Sequence, residues 1–227
     1  GRGRMLPSRL ILWIDEAALF ENLPAGIRRL QKRGLEVRSC KDYGPHKKYF
    51  PYLESLREAQ IPLVTADDDL LYPRDWLQRL AEAFQKYPGM LNCYRAHLVA
   101  LDRYGVAPYK HWSPVCSTRP SFRHFATSGA GIILPTGLQR ILKQKGASFL
   151  RCCPKADDIW LNVQALRAGY LVRTVARKQF RLLGIPGTQK SALSHQNCTG
   201  EENDRQIAAT YTHEDMQIMF KDGLGQP

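Results

Sequence analysis

Apolar positions along the chain form short runs separated by stretches with helical spacing. The run from Arg9 to Ile14 predicts a strand. Leu23 to Arg33 predicts a helix, closed by Gly34 where a left-handed cap is favoured. Glu36 to Cys40 returns to extended structure. After the breaker Gly44-Pro45, Lys47 to Ala59 places Phe50, Leu53 and Leu56 in helical register and leads into the apolar run from Ile61 to Thr65. Trp76, Leu77, Leu80, Ala83 and Phe84 share one face of a helix that starts near Pro73 and stops before Pro88. Met90 to His97 predicts another strand, and Leu98 to Phe125 lacks a clear period, as expected of loops and hairpins. Thr127 to Pro135 joins small residues to a β-branched strand. A helix is expected from Asp157 to Ala168, stopped by Gly169, then a strand from Tyr170 to Ala176, a loop from Gly184 to Thr199, and a helix from about Glu201 to Phe220.

Repeated strand-helix-strand alternation specifies an α/β fold whose sheet is mostly parallel and flanked by helices. A length of 227 residues with 44% apolar content suits one domain with a real core. Residues 1–97, 98–183 and a C-terminal loop and helix over 184–227 are expected to make up this one domain. No run reaches the roughly 18 apolar residues of a membrane span, and the opening Gly1-Arg2-Gly3-Arg4 lacks the apolar region of a signal peptide, so a cytoplasmic location is expected. Six cysteines without C-x-x-C pairing argue for reduced thiols, the adjacent Cys152 and Cys153 included. The formal charge of +12 favours anionic partners, among them the inner face of an anionic membrane. The basic residues are dispersed and carry no zinc-finger, RRM or KH signature, so no specific nucleic-acid partner is expected.

The sharpest chemical feature is Asp67-Asp68-Asp69, directly after the Ile61 to Thr65 run. A buried strand that ends in carboxylates delivers them to a sheet edge, where open α/β sheets bind ligands. Two unit charges about 4 Å apart repel by roughly 4 kcal/mol at an effective dielectric near 20, so such a triplet calls for a cation. Oxygen-only ligands favour Mg²⁺ or Mn²⁺, whose remaining ligands are typically water and substrate phosphates. The competing reading is a solvated turn that caps the following helix.

Four pieces stand in order: Asp42-Tyr43-Gly44-Pro45-His46-Lys47-Lys48, Asp67-Asp68-Asp69, Ser128-Gly129-Ala130-Gly131 and Lys155-Ala156-Asp157-Asp158-Ile159-Trp160. With Tyr72-Pro73-x-x-Trp76-Leu77 they resemble GT-A fold glycosyltransferases, in particular the family 2-like bacterial enzymes of surface-polysaccharide synthesis, over about Arg9 to Asp204. The resemblance implies a nucleotide-sugar donor and a glycan or lipid-linked acceptor. It implies that Asp69, with Asp67, holds the divalent ion, and that Asp67 and Asp68 lie beside the donor. Lys48 is then the cation near the donor phosphates, Gly129 and Gly131 allow close approach, and His195 is a late polar ligand to metal or diphosphate. Asp158 is the expected general base of an inverting enzyme, with Asp157 in reserve. The chain opens almost at the second strand of such a domain, so the usual first strand-helix unit is expected to be lacking.

Each piece also has a structural reading. Lys48 fits a solvated helix face, Asp157 and Asp158 fit a helix amino-terminal cap, and His46 and Trp160 fit packing roles. Two other functions remain open: a metal-dependent nucleotidyltransferase, and a non-catalytic basic binding module on the same fold.

Overall fold

The structure, a computed structural model, describes residues 3–103, 105–178, 182–186 and 202–224. In chain order the first strand β1 (Leu10–Ile14) is followed by helices α1 (Ala17–Glu21) and α2 (Ala25–Gln31) and strand β2 (Leu35–Ser39). A 3₁₀ turn, Gly44–Lys48, leads into α3 (Phe50–Ser55), then β3 (Leu63–Val64), β4 (Leu70–Leu71) and α4 (Trp76–Lys86). Strand β5 (Leu91–Cys93) opens a run of short strands: β6 (Ala96–Leu98), β7 (Leu101–Asp102), β8 (Gly105–Val106), β9 (Ser113–Pro114) and β10 (His124–Ala126). Strand β11 (Ile132–Leu134), α5 (Thr136–Lys145), α6 (Asp157–Arg167), β12 (Val172–Thr174), β13 (Leu183–Gly184), α7 (Glu202–Thr210) and α8 (His213–Leu224) complete the fold.

The architecture is mixed α/β, but the sheet is not the mostly parallel one that the alternation predicts. The central four strands run in the order β12-β5-β11-β3. Only β12 and β5 are parallel there; β11 is antiparallel to both β5 and β3. Elsewhere β1 and β2 form a parallel pair, while the remaining ladders among the described residues are antiparallel. The physical reason lies between β5 and β11. These strands are joined by hairpins and loops rather than by a single crossover helix, and a parallel return needs such a crossover. The expected strand from Met90 to His97 is two strands in two sheets. Tyr94 donates its N–H to the Gly131 carbonyl at the end of the central sheet, after which β6 pairs with β9 and β10. The expected last helix is likewise two, with Asp215 accepting the Thr212 N–H at the break.

The β1–β2 pair and β3 share no ladder among the described residues, yet Leu10, Leu12, Leu63 and Val64 all line one cleft.

The main core gathers under α6, a helix buried on nearly every face from Ile159 to Leu166, which is the pattern of an element packed all round. Asn162, in mid-helix, does not face water. Its Oδ1 accepts the Ala126 N–H at 2.7 Å and its Nδ2 donates to the Ala126 carbonyl at 2.7 Å, fastening α6 to β10. An aromatic group anchors the Gly44–Lys48 turn on this core: the His46 ring stacks on Phe149 at 3.8 Å, and Phe50 meets the same ring edge-on. His46 is therefore a packing residue, as its sequence context indicates.

Gly131 has φ of +113°, and a Cβ there would come within 2.6 Å of the Trp76 indole. The Gly131→Ala variant combines overpacking with backbone strain and should cost roughly 2–4 kcal/mol. Urea denaturation checks this: the midpoint should fall with the slope unchanged, and an unaltered midpoint would contradict the packing.

Candidate functional site

Three segments distant in sequence converge on the ammonium of Lys48. Its Nζ lies 2.8 Å from Asp67 Oδ1 and 3.3 Å from Asp157 Oδ2, and it donates to Ser128 Oγ at 3.1 Å. Ser128 in turn donates its hydroxyl to Asp157 Oδ2 at 2.7 Å and its backbone N–H to Asp158 Oδ1 at 2.6 Å. One serine thus positions both members of the acidic pair. The second oxygen of Asp158 accepts no bond among the described residues.

Local structure explains each placement. Lys48 closes the 3₁₀ turn held on the core by His46, whose Nε2 bonds to the Cys153 carbonyl at 2.8 Å and whose Nδ1 faces the Tyr49 hydroxyl at 2.9 Å. Asp157 and Asp158 occupy the first turn of α6, where the helix dipole favours negative charge. Their side chains reach across to Ser128 rather than capping their own helix, which sets aside the simple cap. Asp67 follows β3, and its N–H donates to the Tyr72 hydroxyl at 2.7 Å, which donates onward to the Gly129 carbonyl at 2.7 Å. The triplet is not extended: Asp68 and Asp69 form a turn between β3 and β4, with Asp67 and Asp69 half-buried and Asp68 exposed.

Both glycines are points of close approach, and what approaches is a side chain of this chain. A Cβ on Gly129 would stand 2.2 Å from Asp67 Oδ2, so its bareness makes room for that carboxylate. Gly131 is covered by Trp76 and does not line the cleft, so it has no direct path to a donor. Lys48 is half-buried on the cleft wall, and its charge is paired with Asp67 and Asp157 rather than left to solvent. His195 lies outside the described residues.

Burial alone would depress the Lys48 ammonium, but the neighbouring carboxylates of Asp157, Asp67 and Asp158 outweigh it, and the lysine keeps its proton well above its ordinary range. Burial raises Asp67 more than Lys48 lowers it. Desolvation, reinforced by Asp157, pushes Asp158 up to about 6. Burial drives His46 the other way, down to about 4, so the ring is neutral.

Among the described residues no three His, Cys, Asp or Glu side chains gather as a metal cage. Magnesium sites on phosphorylated substrates need only one or two carboxylates, with water and phosphate completing the shell. Asp67 and Asp69 both line the cleft, and the charge of Asp69 helps to raise Asp67. Asp67 Oδ1 is buried without an aligned donor, although Lys48 stands near it. The backbone of Asp69 is fixed by the Ile185 N–H at 2.8 Å.

The site opens on a cleft of about 1860 Å³. This exceeds the roughly 300–1,000 Å³ of a drug-sized pocket. Asp15 at the end of β1 lines one side and is paired with Lys47. On the Asp158 side stands Arg95, a residue that sequence reasoning did not single out. Its Nε donates to Thr127 Oγ1 at 2.9 Å, and its guanidinium pairs with no carboxylate among the described residues. The only sequence signal for it was the strand from Met90 to His97, and the break after Cys93 that turns Arg95 into the cleft depends on long-range pairing. No described helix is long and apolar enough to cross a membrane. The chain matches no protein-family model and no curated protein.

The two shifted groups act on stability with opposite sign. Below pH 6.5 the unfolded chain protonates at His46 while the native ring stays neutral to about pH 4, so stability falls as pH drops through that window. Asp158 takes its proton in the native state near pH 6, whereas unfolded it waits until about 3.8, so it opposes that loss. Asp158→Asn removes only the opposing contribution. Its melting temperature should therefore fall more steeply between pH 6.5 and 4 than that of the parent chain; parallel curves would refute the two burial effects.

Proposed function

We propose that the chain is a metal-dependent glycosyltransferase of GT-A type that moves a sugar from a nucleotide-sugar donor to a hydroxyl of a glycan or lipid-linked acceptor. The observation that carries this reading is the junction at Lys48, which brings the acidic triplet and the Asp157-Asp158 pair to one wall of the cleft. Lys48 balances one negative charge, while Asp67, Asp69, Asp157 and Asp158 supply up to four. The surplus favours a divalent cation at Asp69 and Asp67. A bound Mg²⁺ or Mn²⁺ supplies Lewis-acid neutralisation of the departing nucleoside diphosphate.

The remaining work falls to the chain. Lys48 is a positioning residue that holds Asp67 and Asp157 in place. Asp157, nearly fully buried and committed to Ser128 and Lys48, is also an anchor. Asp158 is the base: one oxygen is fixed by the Ser128 N–H, and the other takes the acceptor hydroxyl proton. As the acceptor hydroxyl oxygen attacks the anomeric carbon, the bond from that carbon to the diphosphate oxygen breaks and its electron pair leaves with the diphosphate. A carboxylate raised to about 6 is ionised at neutral pH yet more basic than an ordinary aspartate. Nucleotidyl transfer finds less support, because Asp157 is committed to the Ser128 hydroxyl and to Lys48 rather than left as an additional metal ligand.

Calorimetry against a panel of nucleoside diphosphates and nucleotide sugars, with Mn²⁺, Mg²⁺ or chelator, tests the donor assignment. Binding of one nucleotide should require the metal and vanish in Asp69→Ala; metal-independent binding in both proteins would sink it. Asp158→Asn should keep donor binding and lose turnover by about 10²–10⁴-fold, and the parent's kcat/KM should decline below about pH 6. Donor binding without turnover in the parent chain would point to the binding module instead.

A further inference from the structure

A second pocket, of about 590 Å³, lies along β12, the edge of the central sheet opposite β3. Its lining includes Tyr87, Ser117, Thr118, Arg119, Arg173 and Arg177, and no acidic residue. The Arg173 guanidinium sits 4.1 Å from the centre of the Tyr87 ring, and the Lys86 ammonium is 5.5 Å from the same centre. The two cations therefore lie within about one Debye length of each other, which is about 10 Å at 0.1 M salt. None of Lys86, Arg119, Arg173 and Arg177 pairs with a carboxylate among the described residues. Asp222 binds the neighbouring Ser121 hydroxyl and Phe122 N–H and is not part of the lining.

This cluster is built on a fixed frame. The fully buried Asn92 donates to the carbonyls of Tyr87 and Met90, at 3.0 and 3.2 Å, and holds the aromatic platform at the end of α4. The facing loop is tied to β12 by the Ser121–Val172 bridge and by the Thr174 hydroxyl on the Ser117 carbonyl. Its turn is closed by the Arg119 N–H on Ser117 Oγ at 3.1 Å. Arg173 is half-buried and stacked, so its planar fork is oriented in advance.

We propose that this pocket binds a phosphate group, with Arg173 as the central ligand and Arg119, Arg177 and the Ser117 and Thr118 hydroxyls around it. Like charges held together without a counter-charge are relieved by an anion, and arginine forks match phosphate oxygens bidentately. The group comes either from a soluble phosphate ester or from a phospholipid headgroup. The proposal does not rest on the glycosyltransferase reading.

The test uses inorganic pyrophosphate by calorimetry, with chelator present to silence the acidic cleft. Binding to the parent chain should weaken about tenfold in Arg173→Gln and similarly in the exposed pair variant Arg119→Gln/Arg177→Gln. The remote Arg28→Gln/Arg29→Gln should bind as the parent does. Equal weakening in the remote pair would reduce the effect to net charge and overturn the site, as would unchanged binding in both pocket variants. Sedimentation with phosphatidylcholine vesicles, with and without phosphatidic acid, separates the sources. Arg173-dependent binding only to the acidic vesicles identifies a headgroup, and pyrophosphate binding without vesicle binding identifies a soluble ester. Failure of both ligands to bind the parent chain refutes the proposal.

Discussion

A half-buried ammonium shared by carboxylates organises this molecule. Removing either sign of charge from such a cluster strands the other in a poorly solvated place, so the ion network is strongly interdependent even where its net contribution to stability is modest. Lys48 sits on a turn anchored by His46 and Phe149, Asp67 follows β3, and Asp157 starts α6. None of these segments can shift alone without leaving an unpaired charge. Ser128 extends the constraint to Asp158, and Asn162 fastens α6 to the strand that leads into Ser128. The chemistry of the cleft and the docking of the central helix are therefore one problem with one solution.

This arrangement divides labour between two adjacent aspartates of identical chemistry. Asp157 faces inward, satisfied by a hydroxyl and an ammonium, whereas Asp158 is half-buried on the cleft and bound through one oxygen. Their environments separate their roles, as happens wherever two like groups must perform an anchoring task and a proton-transfer task.

Much of this was legible from residue order. The acidic triplet after an apolar run, the second acidic pair at a helix start and the glycine-rich strand all lie on the cleft or against its residues. Helix α6 falls within one residue of its expected bounds, whereas α4 starts at Trp76, three residues after the expected Pro73. The partner of each charge was not legible. Whether Lys48 faces water, phosphate or carboxylate depends on residues up to 109 positions away in the chain, and side-chain spacing carries no such information. Strand direction was misjudged for a related reason: alternation of strand and helix implies parallel pairing only when the intervening helix itself makes the crossover. The glycines were flagged correctly as sites of close approach, but what approaches is Asp67 at Gly129 and Trp76 at Gly131.

The cleft also has a bearing on how the molecule behaves in a crowd. Strands β1 and β3 each leave one edge without a ladder among the described residues, and the apolar Leu10 stands about half exposed at the start of β1. Unpaired strand edges are templates for pairing between molecules, a route to aggregation that proteins often block with charge. Here the block is the whole-molecule charge of +12, which keeps copies apart at low ionic strength. Salt weakens that repulsion without covering the edges. The same abundance of lysine and arginine that draws anions to the surface thus also serves as colloidal protection for an open sheet.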